Sequence, residues 1–266
     1  MSGGLADVFT RTRGQDRAAL IGYLPAGFPT HEQSVSLINA MVAAGVDIIE
    51  VGLPYSDPLM DGPDIQAAVD IALQAGTTPD TVLDVVGQVS AAGATPVVMS
   101  YWNPIERYGV DRFAARLADA GGVGVITPDL TPEEAGPWIA ATSQSGLDRI
   151  FLVAPSSTDA RIATVASATS GFLYAASTMG VTGARSQVSS SAPELVRRSR
   201  ALTDLPIAVG LGVSTGEQAR EVAGYADGVI VGSAFVRRIL RAGDHEEACR
   251  EVGALAADLA AGVRGR

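Results

Sequence analysis

A glutamate sits inside an apolar β run, Ile48-Ile49-Glu50-Val51-Gly52. A carboxylate there costs free energy unless it is paired or its proton is used. The run opens into a Pro- and Gly-rich loop, Leu53 to Pro63, that carries Asp57 and Asp61, with Asp64 just beyond it. Strand side chains alternate, so Ile48, Glu50 and Gly52 share one face while Ile49 and Val51 share the other. If the Ile49/Val51 face packs on helices, Glu50 points into a dry interior. Desolvation then lifts its pKa toward neutrality, which suits a proton shuttle at pH 7. A structural glutamate paired with an arginine is the competing reading.

Asp61 lies past the bend of the loop, before Gly62-Pro63 opens a helix, and can swing over the cavity as a second catalytic carboxylate. Ser-Asp-Pro and Asp-Gly-Pro are also ordinary turn formers, which leaves a purely local role open for each loop aspartate. Asp57 suits loop organisation or contact with a partner. Asp129, in Thr127-Pro128-Asp129-Leu130, follows a strand and reads equally as a helix cap or a contact residue. Tyr174 sits on a strand where its hydroxyl could meet a substrate, or its ring could simply pack.

Three glycine-containing turns follow the last three apolar runs: Gly180-Val181-Thr182-Gly183, Gly210-Leu211-Gly212-Val213-Ser214 and Gly232-Ser233-Ala234. Each alone is commonplace. Together, with a short helix starting near Ser233, they suit a phosphate held by backbone N–H groups. The serine-rich stretch from Arg185 to Ala192 reads as a lid or as a plain surface loop.

Positioning these groups takes a regular frame. Strand-like runs occur at Ala19–Leu24, Ile48–Val51, Pro96–Met99, Val123–Ile126, Arg149–Val153, Phe172–Ala175, Ile207–Val209 and Val229–Val231, each followed by a stretch of helical period. Helices are expected at His31–Ala44, Pro79–Ala92, Asp111–Ala120, Pro132–Ser143, Asp159–Ala168, Pro193–Ala201, Thr215–Ala223 and Glu246–Ala260. Eight β–α units predict a (β/α)8 barrel, with a doubly wound sheet as the structural alternative. Leu5–Arg13 forms an extra helix that could plug the bottom, and Ile65–Ala75 an extra helix after the second strand. A single domain over residues 1–266 is expected.

Composition narrows the chemistry. All nineteen basic residues are arginine, so neither a Schiff-base aldolase nor a covalent pyridoxal phosphate enzyme fits within this chain. Two histidines and the single Cys249 make no metal-ligand pattern. The net charge of −10 speaks against nucleic acid and anionic membrane surfaces. No apolar run is long enough for a membrane span, no signal peptide is evident, and one cysteine suits a reducing cytoplasm.

The stretch Glu50-Val51-Gly52-Leu53-Pro54-Tyr55-Ser56-Asp57-Pro58, with Asp61-Gly62-Pro63, Ile65-Gln66, Tyr101 to Pro104, Pro128-Asp129-Leu130, Tyr174 and the glycine turns, resembles the tryptophan synthase α subunit. The resemblance runs from about residue 5 to 260. It implies a TIM barrel that cleaves indole-3-glycerol phosphate to indole and glyceraldehyde 3-phosphate, the penultimate step of tryptophan biosynthesis. Glu50 would then be the general acid/base, and Asp61 would stabilise charge at the indole nitrogen and meet Thr182 on closure. Tyr23, Tyr174 and Leu211 would line the pocket, and Gly183, Gly212, Gly232 and Ser233 would hold the phosphate. Pro54, Tyr55, Asp57, Asn103 and Pro104 would face a β subunit in an αββα assembly. Pyridoxal phosphate would belong to that partner alone. Three departures from the family pattern stand out: Leu211 where phenylalanine is frequent, Met60 for a small residue, and Phe28 for an aspartate. Two other readings are a ring-closing phosphate-binding barrel enzyme, against which the missing lysine counts, and a barrel kept as a non-catalytic partner.

Overall fold

A computed structural model describes residues 4–176, 191–210 and 212–265 of the chain. The strands are β1 (Ala19–Pro25), β2 (Ile48–Gly52), β3 (Pro96–Met99), β4 (Gly124–Ile126), β5 (Asp148–Ile150), β6 (Leu152–Val153), β7 (Leu173–Ala176), β8 (Ile207–Gly210) and β9 (Gly228–Val231). All pair in parallel in the order β5-β4-β3-β2-β1-β9-β8-β7-β6. The two ends of this order, β5 and β6, are separated in sequence only by Phe151. They are halves of one interrupted strand, the one expected at Arg149–Val153, so the sheet curls into a nearly closed eight-unit (β/α)8 barrel.

Twelve helices are described: α1 (Leu5–Gly14), α2 (His31–Ala43), α3 (Pro63–Gln74), α4 (Pro79–Ala91), α5 (Trp102–Tyr108), α6 (Val110–Asp119), α7 (Gly136–Ser145), α8 (Asp159–Ala168), α9 (Ala192–Arg200), α10 (Gly216–Ala223), α11 (Ser233–Arg241) and α12 (His245–Val263). Side chains of Thr30, Thr78, Thr158, Thr215 and Asp244 accept N–H groups of the first turns they precede. Two boundaries differ from expectation. Residues 132–135 form hydrogen-bonded turns, and α7 starts only at Gly136 with Pro137 in its first turn. Residues 102–108 are helical although apolar spacing predicts no helix there. Pro104 lies in the first turn of α5, where its missing N–H leaves no bond unmade.

Strand alternation divides the core in two. Ala19, Ile21, Ile48, Val97, Ile126, Ile150, Phe172, Ala208 and Ile230 fill the barrel interior together with Leu5, Val8 and Phe9 of α1. The expected plug is therefore real: the Phe9 and Phe172 rings meet at 5.7 Å between centroids. Ile49, Val51, Val98 and Val209 face outward into the helical layer. Each such side chain, fully buried, contributes roughly 1.5–3 kcal/mol. Below β2, Asp47 takes two bonds from the buried Arg17 at 2.6 and 2.8 Å and one from the Leu20 N–H at 3.0 Å. That pair fixes where β2 begins, and hence the height at which Glu50 stands.

Candidate active site

Glu50 is the third residue of β2, one inward-facing step above Ile48, with Tyr23 beside it in register on β1 and Val97 on β3. It is 2% exposed, and its Oε1 has no hydrogen-bond partner among the described residues. Burial alone lifts its pKa to about 8. Among the described residues no cation moderates that shift, and no arginine pairs with Glu50. Burial thus favours the protonated form at neutral pH, in which the group can give a proton and, once it has, take one back.

Asp61 closes the loop that follows. The Tyr101 hydroxyl donates to Asp61 Oδ1 at 3.1 Å and accepts the Met60 N–H at 3.0 Å. Gln66 Nε2 donates to the Asp61 carbonyl at 2.8 Å, tying the loop to the first turn of α3. Burial raises the Asp61 pKa, and the Tyr101 hydrogen bond pulls it part of the way back.

Tyr23 brings the two acids into one site. Its phenol pKa is raised well above the usual value, first by burial and then by the charge that Asp61 and Glu50 carry once ionised, with Tyr101 and Tyr174 also near. That of Tyr174, on β7 and packed against the inner core, is likewise raised by burial and then by Glu50. A Cβ on Gly210 would stand 2.6 Å from the Tyr174 hydroxyl oxygen, so that ring lies flat across the neighbouring strand. Two acids and three phenols thus lie close together around Tyr23. Sequence reasoning does not single out Tyr101 as a site residue; its position two residues past the end of β3, at the barrel mouth, is the available signal.

Other sequence candidates have structural partners. Asp64 receives two hydrogen bonds from Arg237 of α11, at 3.0 and 2.7 Å. Asp129 caps no helix of its own; its carboxylate accepts the Trp102 N–H at 2.9 and 3.1 Å and so anchors the start of α5. Exposed Asp57 takes the Ser56 hydroxyl at 2.6 Å.

Of the expected phosphate groups, Gly212, Gly232 and Ser233 are described. Gly212 has φ +70°, a conformation that favours glycine. The N-cap of α11 is Gly232, which has no side chain to cap the helix, and buried Ser233 follows it. The nearest atoms a Cβ on Gly232 would meet belong to the Tyr23 side chain, at 3.4 Å, which is ordinary contact. The fold therefore does not require glycine at 232. An anion drawn close to these N–H groups would. Thr182, Gly183 and Leu211 lie outside the described residues. No cluster of metal-ligating side chains is present among the described residues.

Around the mouth, Tyr55 is half-buried with its ring 5.6 Å from that of Tyr101, while Asp57 and Asn103 are exposed, Pro104 is half-buried and Pro54 is buried. Leu59 is 73% exposed. Phe28, where the resemblance expects an aspartate, is 1% exposed within the outer core. Met60 contributes its backbone N–H to the Tyr101 contact, a role any residue but proline can fill.

Comparison with known proteins agrees in every register. The family model described as tryptophan synthase alpha chain matches residues 9–264. A tryptophan synthase alpha chain of Thermobifida fusca is 62% identical over 255 residues, covering 95% of this chain and 94% of the relative. That of Nocardia farcinica is 58% identical, covering 98% of this chain and 96% of the relative. A solved structure of Mycobacterium tuberculosis tryptophan synthase superposes with a TM-score of 0.93 at 54% identity, covering 99% of both chains.

Proposed function

The chain belongs to the tryptophan synthase alpha chain family, and on that premise we propose that Glu50 and Asp61 cleave indole-3-glycerol phosphate to indole and glyceraldehyde 3-phosphate. The chain is a carbon–carbon lyase of tryptophan biosynthesis. The observation that carries the catalytic assignment is Glu50, an acid buried in the barrel beside Tyr23 and Tyr174 with its pKa lifted by that burial, and Asp61 facing the same Tyr23.

A retro-aldol step needs somewhere for the electrons of the breaking C–C bond to go. Protonation of the indole at C3 by Glu50 makes an indoleninium, which is that sink. The Glu50 carboxylate so formed then takes the proton of the glycerol hydroxyl as the C–C bond breaks. The carbonyl of glyceraldehyde 3-phosphate forms, indole leaves, and Glu50 ends protonated as it began. Asp61, ionised, balances positive charge at the indole nitrogen throughout. Arginine-only basicity is no handicap, because no amine takes part.

The phosphate rests on the N-terminus of α11, with Gly212, Gly232 and Ser233, and Gly183 from the preceding turn, supplying N–H groups. Tyr23, Tyr174 and Leu211 border the indole, and Thr182 meets Asp61 when substrate is enclosed. A β subunit seats on Tyr55, Asp57, Asn103 and Pro104, with Pro54 supporting the loop from beneath, in an αββα assembly. The partner holds the pyridoxal phosphate and receives the indole; this chain works without a cofactor. No helix among the described residues is long and apolar enough to cross a membrane, and the assembly works in the cytoplasm.

The test is indole release from indole-3-glycerol phosphate by the purified chain, alone and with a β subunit. Glu50→Gln is expected to abolish turnover with substrate affinity kept, since a positioned acid–base group contributes about 10²–10⁴-fold. A Glu50→Gln rate within threefold of the parent's rules out the assignment.

A further inference from the structure

One phenol oxygen carries two hydrogen bonds to consecutive residues of the loop that bears Asp61. The Tyr101 hydroxyl accepts from Met60 N and donates to Asp61 Oδ1, at 3.0 and 3.1 Å. We propose that Tyr101 is a positioning residue for this reaction, fixing the Asp61 carboxylate at the cavity and leaving its second oxygen for the substrate. The inference rests on the role proposed above for Asp61.

Three features separate this contact from an incidental one. The phenol uses its single proton on the carboxylate and a lone pair on the neighbouring N–H, so the hydroxyl cannot rotate away without losing both partners. Its ring is held on one side by Tyr55. Its backbone is pinned on the other, because the next residue, Trp102, gives its N–H to both oxygens of Asp129. Tyr101 is thus fixed from two elements before it touches Asp61. By contrast, Gln66 reaches only the Asp61 carbonyl and leaves the carboxylate free to turn.

The chemistry that follows is specific. A hydroxyl donated to a carboxylate favours its ionised form, opposing the burial that raises the Asp61 pKa. Among the described residues, the titratable groups facing Asp61 are Tyr101, ahead of α5, and Tyr23 from β1. Both are phenols whose own pKa is raised, so the Tyr101 hydrogen bond favours the charged form of Asp61 while burial works toward protonation.

The decisive variant is Tyr101→Phe, which keeps the ring and removes only the oxygen. In the complex with a β subunit, kcat is expected to fall about tenfold with KM changed less than about twofold, as for an interaction that strengthens in the transition state. The acid limb of the kcat profile should move to higher pH, because Asp61 loses the donor that favours its charge. The thermal midpoint serves as the control for folding. An unmoved acid limb overturns the proposal whatever happens to kcat, since a wall or packing role would not touch the titration of Asp61. Asp61→Asn is assayed in parallel. If it too retains full turnover, the role of Asp61 itself fails; if it is inactive while Tyr101→Phe matches the parent, only the positioning role does.

Discussion

Tyr23 occupies the space that a side chain at position 52 would need: a Cβ on Gly52 would stand 2.5 Å from the phenol oxygen and 2.7 Å from Cε2. The two residues are on adjacent strands, with Pro25 of β1 in register with Gly52 and Tyr23 in register with Glu50. The ring therefore leans along the barrel wall over Gly52, immediately above the acid. Glycine at 52 is a condition for a dry, aromatic roof over Glu50, and the same device recurs where Tyr174 lies across Gly210.

Gly52→Ala is expected to push the Tyr23 ring out of this seat. Forced overpacking of this kind costs about 1–3 kcal/mol. Because the displaced group is the end of a side chain, the fold survives and the damage falls on the cavity. Urea denaturation should report the loss of stability and a titration with indole-3-glycerol phosphate the weakened binding. Unchanged binding would mean that Tyr23 does not border the ligand.

A second expectation concerns stability and pH. Folding lifts the Glu50 pKa from 4.5 to about 8. Between those values the unfolded chain has lost this proton and the folded chain still holds it, so stability falls as pH rises and levels off above about 8. A glutamine in its place would not titrate. The advantage of Glu50→Gln over the parent should therefore open from about pH 5 upward and reach on the order of 5 kcal/mol by pH 9. Urea melts of both proteins at pH 5, 7 and 9 measure it. A gap independent of pH would place Glu50 in contact with water or a cation.

Activity should carry the same signature. The reaction begins with Glu50 protonated, so kcat/KM, which reports the free enzyme, is expected to decline on the alkaline side with a midpoint near pH 8. A profile flat to pH 9.5 would remove Glu50 as the proton donor at C3.

Much of this site could be read from sequence because it rests on local periodicity. A period of two put Glu50 with Ile48 and away from Ile49 and Val51, and the barrel interior follows that division. The α1 plug and the run of β–α units follow from apolar spacing in the same way. What the sequence concealed are contacts across long stretches of chain. Asp64 meets Arg237 only because α3 and α11 pack together, and Asp129 reaches the start of α5 from the end of β4. Tyr101 was hidden for the same reason: its partner Asp61 is forty residues away. The helix at α5 escaped because Pro104 reads as a breaker until its place in the first turn is known.

The phosphate grip gives the last prediction. At 232 the backbone has a negative φ, −122°, and the nearest atoms to a Cβ there, those of Tyr23, would be at ordinary contact distance. Alanine should consequently fold as the parent does. Its methyl group would nevertheless stand at the uncapped N-terminus of α11, where phosphate oxygens must approach the N–H groups closely. Gly232→Ala is thus expected to raise KM by about tenfold, roughly 1.4 kcal/mol of lost binding, with a smaller effect on kcat and an unchanged thermal midpoint. Gly212→Ala differs in kind, since φ +70° strains an alanine and should lower stability as well as affinity. Steady-state kinetics and thermal melts on the two variants separate the outcomes. A Gly232→Ala enzyme with parental KM would move the phosphate away from α11.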